Sequence, residues 1–191
     1  MSQQRTRRAK HMLSLGPPEG EGWFWQSTAM NGSITYQALG IHSRRILDFL
    51  IQENAGHRGR ENGNLAATFN QLVQWGLTRG DIRKGFAELI AGGFVRRVHC
   101  GMRIAGGGDP SRYALTWLPT LAGSDYQAAA TNDWKGVIAS LDRTRVGNVK
   151  SARRWLKSEI SPAISTGRRK QKPSAHLRLV SVLTCDLGEA S

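Results

Sequence analysis

The chain of 191 residues carries 27 Lys and Arg against 14 Asp and Glu, a formal charge of +13 with a pI near 10.8. Such a balance points to a polyanionic partner, nucleic acid or an anionic surface, and the length admits one ordinary domain with appended segments rather than two full domains. No apolar run reaches the roughly 20 residues of a membrane span, the opening "MSQQRTRRAKHMLSLGPPEGEG" lacks a signal-peptide core, and Cys100 and Cys185 have neither metal-site nor disulfide-framework spacing, so a soluble, cytoplasmic protein is expected.

The charge is unevenly placed. Residues 1–11 hold four basic groups and no acid, residues 143–178 hold eleven against Glu159 alone, and residues 12–142 hold twelve against eleven acids. Residues 1–22 therefore read as a basic, Pro/Gly-rich mobile arm. Residues 23–135 read as a nearly neutral domain and 136–191 as a basic C-terminal extension.

Order is expected to begin at "WFWQST". "SITYQAL", Ser33 to Leu39, predicts a short helix stopped by Gly40, after which Ser43 is placed to cap "RRILDFLIQENAG". Ile46, Phe49, Leu50 and Ile51 give that helix an apolar stripe. "GHRGRENG" is a polar loop and "NLAAT" a short strand.

Thr68 followed by Gln71 fits a capping box, and Phe69, Leu72 and Val73 share one face of the helix it opens. Gly76 ends that helix, as a residue tolerant of the left-handed conformation should. Thr78, with Asp81 three residues on, opens a second helix over about Arg79 to Ala91, closed by Gly92-Gly93. At about 100° per residue, Ile82, Phe86, Leu89 and Ile90 form its apolar face. The opposite face carries Gly80, Lys84, Ala87 and Ala91, flanked by Arg83 and Glu88, with Arg79 in the first turn. Small residues there let the backbone approach a grooved surface, and the basic ones offer donors to phosphates or base edges.

"FVRRVHC", "GMRIAGGGDPSR" and "YALTWLP" then read as a β-hairpin with a long Gly-rich tip, spanning 94–118. Arg96 and Arg97 lie in its first strand, with Arg103 and Arg112 towards the tip. Helix, short strand, helix, tight turn, helix and hairpin is the order of a winged helix-turn-helix, an α+β fold that is mainly helical with a β-hairpin wing. The candidate contacts to a duplex are Thr68, Asn70 and Thr78 at the helix starts, Arg79, Arg83 and Lys84 on the second helix, and Arg103 and Arg112 in the wing.

In the extension, Asn148 is placed to cap "VKSARRWLKSEI". Val149, Ala152, Trp155 and Leu156 face one way, and Lys150, Arg153, Arg154 and Lys157 lie around the rest. Pro162 is expected to stop this helix, "STGRRKQKPS" is a charged linker and "HLRLVSVLTC" a strand candidate. A basic amphipathic helix binds DNA, a membrane surface or another copy of itself. The narrow apolar face favours DNA or self-association, and a flexible extension would neutralise phosphates without reading bases.

The stretches "ALGIHSRRILDFLIQENAGHRGRENGNLAATFNQLVQWGL", "PSRYALTWLP" and "TNDWK" resemble a group of small bacterial winged-helix proteins found on chromosomes, plasmids and prophage-like elements. The resemblance covers roughly Trp23 to Lys135. It implies DNA binding in transcription, replication or mobile-element control, with Arg79, Arg83 and Lys84 in the recognition helix and Arg112 at the base of the wing.

No catalytic constellation stands out. His11, His42, His57, His99 and His176 are scattered, no carboxylate pair has the spacing of a metal site, and no nucleophile elbow occurs. The expectation is a non-enzymatic binder of double-stranded DNA without a cofactor, a transcriptional regulator in the first instance and a possible homodimer. A replication initiator or recombination accessory factor on the same fold is one alternative. A non-catalytic interaction module with nonspecific nucleic-acid-binding tails is the other.

Overall fold

A computed structural model describes residues 26–101, 103–104, 107–122, 125–144 and 146–165. The arm 1–22, the start at "WFWQST" up to Trp25, the linker beyond Ser165 and the strand candidate "HLRLVSVLTC" lie outside the described residues, as does the side chain of Arg103. The fold is α+β, with seven helices and a three-stranded antiparallel sheet among the described residues.

The described residues open with two short helices, α1 (Thr28–Asn31) capped by Ser27 and α2 (Ile34–Ala38) capped by Ser33. Helix α3 (Ile41–Gly56) buries Ile46, Phe49, Leu50 and Ile51, as its periodicity predicts, and Leu47 besides. Its start corrects the sequence reading. The N-cap is Gly40, which has no side chain to offer, and Ser43 sits inside the first turn. The Gly40 amide donates to Glu88 Oε2 at 2.9 Å, and the Ser43 hydroxyl donates to the same oxygen. A distant carboxylate thus takes the role a local cap would have filled, and the helix starts earlier than its own sequence signals.

After β1 (Leu65–Ala66), helix α4 (Phe69–Gln74) opens with the complete capping box, Gln71 N to Thr68 Oγ1 at 3.2 Å and Thr68 N to Gln71 Oε1 at 3.0 Å. Of its expected apolar face, Leu72 is buried and Phe69 half-buried, but Val73 is exposed. So short a helix meets the core along a single line. Gly76, with φ +88°, closes it with paired bonds from Leu77 N to Leu72 O and Gly76 N to Val73 O. Arg45 of α3 donates to the carbonyls of Trp75 and Gly76 and pins the turn from outside.

Helix α5 (Arg79–Ala91) starts at the Thr78 cap and buries Ile82, Phe86 and Leu89. It also buries Gly85. A Cβ there would lie 2.5 Å from Ile46 Cδ1 and 3.4 Å from the backbone of His42 and Ser43, so the glycine is what lets α5 cross α3 closely. Its cost in a helix interior, about 1 kcal/mol relative to Ala, is offset by that packing.

The sheet has the order β1-β5-β2, with β2 (Val95–His99) and β5 (Arg112–Leu115) antiparallel and a bulge between Arg97 and His99. Beyond it the hairpin continues as β3 (Arg103–Ile104) and β4 (Gly107–Gly108), and a separate ribbon follows, β6 (Thr120–Ala122) with β7 (Asp125–Ala128). Asn62, placed by sequence in a polar loop, is 0% exposed and ties these parts together. Its Oδ1 accepts from Leu115 N at 2.7 Å, and its Nδ2 lies within 3.1 Å of the carbonyls of Leu115, Leu118 and Pro119. Replacing it with Ala leaves the Leu115 amide and these carbonyls short of partners, so Asn62→Ala should lose about 2–3 kcal/mol. A lowered urea midpoint at unchanged slope is the expected readout.

Helices α6 (Asp133–Arg143) and α7 (Val149–Ser165) are the last of the described elements. Asn148 caps α7 as expected, accepting from Ser151 N at 2.9 Å. The helix does not stop at Pro162, since a proline removes its own donor but leaves those of the residues that follow. Trp134, Leu141, Ala152 and Leu156 belong to the same core as Ile46, Phe86 and Leu115. The part of the extension that is described is therefore docked, with α7 packed against α2 and α5.

Candidate nucleic-acid interface

Arg79, Gly80, Arg83 and Lys84 are all exposed, in the first two turns of α5. None of these three cations makes a salt bridge among the described residues. Their position follows from local chemistry. The Thr78 hydroxyl accepts from Asp81 N at 3.3 Å and donates to Asp81 Oδ2, which fixes the start of the helix and hence its rotation. That hydrogen bond, assisted by His42 and Lys84, holds the Asp81 carboxyl below its usual range. His42 Nε2 lies 3.6 Å from Asp81 Oδ1, so this acid is engaged on the protein rather than left free among the cations.

The C-terminal half of α5 departs from the sequence reading. Ala87, assigned to the outward face, is 3% exposed, and Ala91 is half-buried against the core. The side of α5 bearing Gly85 and Glu88 is taken by α3, and Phe86 stacks on Tyr113 of β5 with ring centroids 4.3 Å apart and planes 13° apart. Helix α7, which also packs on α5, is left the side where Ala87 and Ala91 lie. Their small side chains serve the approach of another helix. The stretch open to a ligand is accordingly limited to the two turns beginning at Arg79.

The helix starts are otherwise occupied. Thr68 and Thr78 spend their hydroxyls as caps, whereas Asn70 is exposed. In the hairpin, Arg96 is exposed, and Arg97 is half-buried with its guanidinium 5.9 Å from the Tyr113 ring centroid. Burial pushes the Tyr113 hydroxyl above its usual range, against the opposing pull of Arg97. Arg112 is a brace more than a free donor. It donates to Asn64 Oδ1 and lies 3.7 Å from Asp109 Oδ1, while Asp109 Oδ2 sits 2.5 Å from His99 Nε2. This polar cluster joins the foot of β1 to both strands of the hairpin. Its members are scattered along the chain, so spacing alone gives no sign of it.

On α7, Lys150, Arg153, Arg154 and Lys157 are exposed, as expected. Arg153 also donates through Nε to the Ala38 carbonyl at 3.2 Å, closing the end of α2. No cluster of His, Cys, Asp or Glu able to hold a metal ion occurs among the described residues, and no described helix is long and apolar enough to cross a membrane. No protein-family model, curated protein or solved structure gives a significant match to the chain.

Proposed function

We propose that the chain is a sequence-selective binder of double-stranded DNA, of winged helix-turn-helix type and without catalytic activity, acting as a transcriptional regulator. The first two turns of α5 enter the major groove, and the β2–β5 hairpin lies along the backbone or minor groove. The observation that carries this reading is the exposed set Arg79, Gly80, Arg83 and Lys84, whose three cations make no salt bridge among the described residues, held on a helix fixed by α3, β5 and α7. Rigid placement matters because base readout needs a fixed register, whereas phosphate neutralisation does not. Gly80 offers no side chain between Arg79 and the second turn, so the backbone can approach a groove wall closely. The α+β order, in which two helices joined by a short turn lie between β1 and the β2–β5 pair of one three-stranded sheet, supports the same reading.

Arg83→Ala and Lys84→Ala test it. Both side chains point away from the core, so the melting temperature should stay unchanged while affinity for a selected duplex falls. Where either reaches a base edge, discrimination at that base pair should drop by about 1–3 kcal/mol. Unaltered affinity and selectivity in both variants would remove α5 as the reading element.

A further inference from the structure

Helix α7 places its cations with a regularity that a merely solvated face does not require. Positions 150, 153, 154 and 157 follow the i, i+3, i+4, i+7 spacing of a single helical stripe. The acid of this helix, Glu159, lies on the other flank of the buried line formed by Ala152, Leu156 and Ile160. None of the four cations makes a salt bridge among the described residues.

The stripe is also fixed relative to α5. Arg153 reaches the Ala38 carbonyl, Ala38 is two residues or about 7 Å of chain from Gly40, and the Gly40 amide is bonded to Glu88 of α5. Glu88 is one helical turn, about 6 Å, from Lys84. This chain of contacts, with the packing of α7 on α5, ties the Arg153 end of the stripe to the segment that meets Glu88 on α5.

Resting on the DNA-binding reading above, we infer that α7 is a second DNA-contacting element. Lys150, Arg153, Arg154 and Lys157 bind backbone phosphates beside the groove that α5 enters. Because α7 is docked rather than tethered, these cations are held at a fixed place relative to α5. They carry no base preference of their own.

The experiment is a triple variant, Lys150→Gln, Arg154→Gln and Lys157→Gln, in the full chain, with Arg153 kept because it closes α2. Gln retains helix propensity, so the thermal midpoint should match that of the wild type, and a matching midpoint is the check that α7 stays in place. Binding to a selected duplex and to its scrambled counterpart is then followed from about 50 to 200 mM salt. Each lost phosphate contact lowers the slope of log K against log salt by about 0.9. The expected slope is lower by about 2–3 on both duplexes, with their affinity ratio preserved. A wild-type slope in the folded variant would overturn the inference while leaving the α5 reading intact. So would a loss confined to binding of phosphatidylserine vesicles, which would make α7 a membrane-surface helix. Failure of the wild-type chain to bind either duplex would remove both readings.

Discussion

Deleting residues 148–191 should abolish cooperative thermal unfolding, although on charge alone these residues look like a detachable basic tail. The deletion takes away Ala152, Leu156 and Ile160, all buried, together with the half-buried Val149 and Trp155 packed on the same core. It also uncovers the side of α5 that bears Ala87 and the end of α2. Leu156 alone, 1% exposed, is worth about 2–5 kcal/mol when cut back to Ala, and a whole domain is stable by only about 5–15 kcal/mol. Loss of several such groups therefore consumes the margin. Circular dichroism of the truncated chain should show no sigmoidal melt above room temperature, and Leu156→Ala in the full chain should lower the midpoint by roughly 4–20 °C. A truncated chain that melts cooperatively near the full-length midpoint would show that α7 rests on the core without supporting it.

Phe86→Ala should act almost as strongly, through the other side of α5. Phe86 is 5% exposed and stacks on Tyr113, whose ring centroid also lies 5.9 Å from the Arg97 guanidinium. Truncation forfeits the burial of a ring and the contact between helix and hairpin, about 3–5 kcal/mol together. DNA binding should fall in proportion to the unfolded fraction and recover when temperature is lowered. That separates it from Arg83→Ala, which should lose binding at every temperature with an unchanged melt. An unperturbed melt for Phe86→Ala would mean that the rotation assigned to α5 is wrong.

How much was legible in the sequence depended on how local each cause is. Helix α5 runs over the residues its caps predict, because Thr78 with Asp81 at one end and Gly92-Gly93 at the other lie within a turn of the ends they set. The Thr68 capping box and the Asn148 cap were legible for the same reason. Ser43 was misassigned because the acceptor that starts α3, Glu88, is 48 residues away from Gly40. Asn62 was hidden among polar neighbours, since an Asn in a loop looks the same whether it faces water or bonds a β-strand.

The candidate site divides along the same line. Arg79, Arg83 and Lys84 are exposed where periodicity places them, and so are the cations of α7. Ala87 and Ala91 were misread because a small-residue face suits a DNA groove and a neighbouring helix equally, and only α7 decides between them. Gly85, at odds with helix propensity, is accounted for by its approach to Ile46. Arg112 stands at the tip-side end of the β2–β5 pair, opposite His99, as the residue reading places it, but its partner Asn64 comes from a segment 48 residues away.

Sequence-selective reading of duplex DNA by the first two turns of α5 is the central claim, and selection from a randomised duplex library at physiological salt tests it most directly. The full chain and the Arg83→Ala, Lys84→Ala double variant are each carried through repeated rounds of binding and sequencing. The wild-type chain should enrich a short motif, with the strongest preference confined to the few base pairs that two helical turns can reach, and the double variant should lose that preference while still retaining bulk duplex. Equal enrichment by both proteins, or no enriched motif from the wild-type chain, would contradict it.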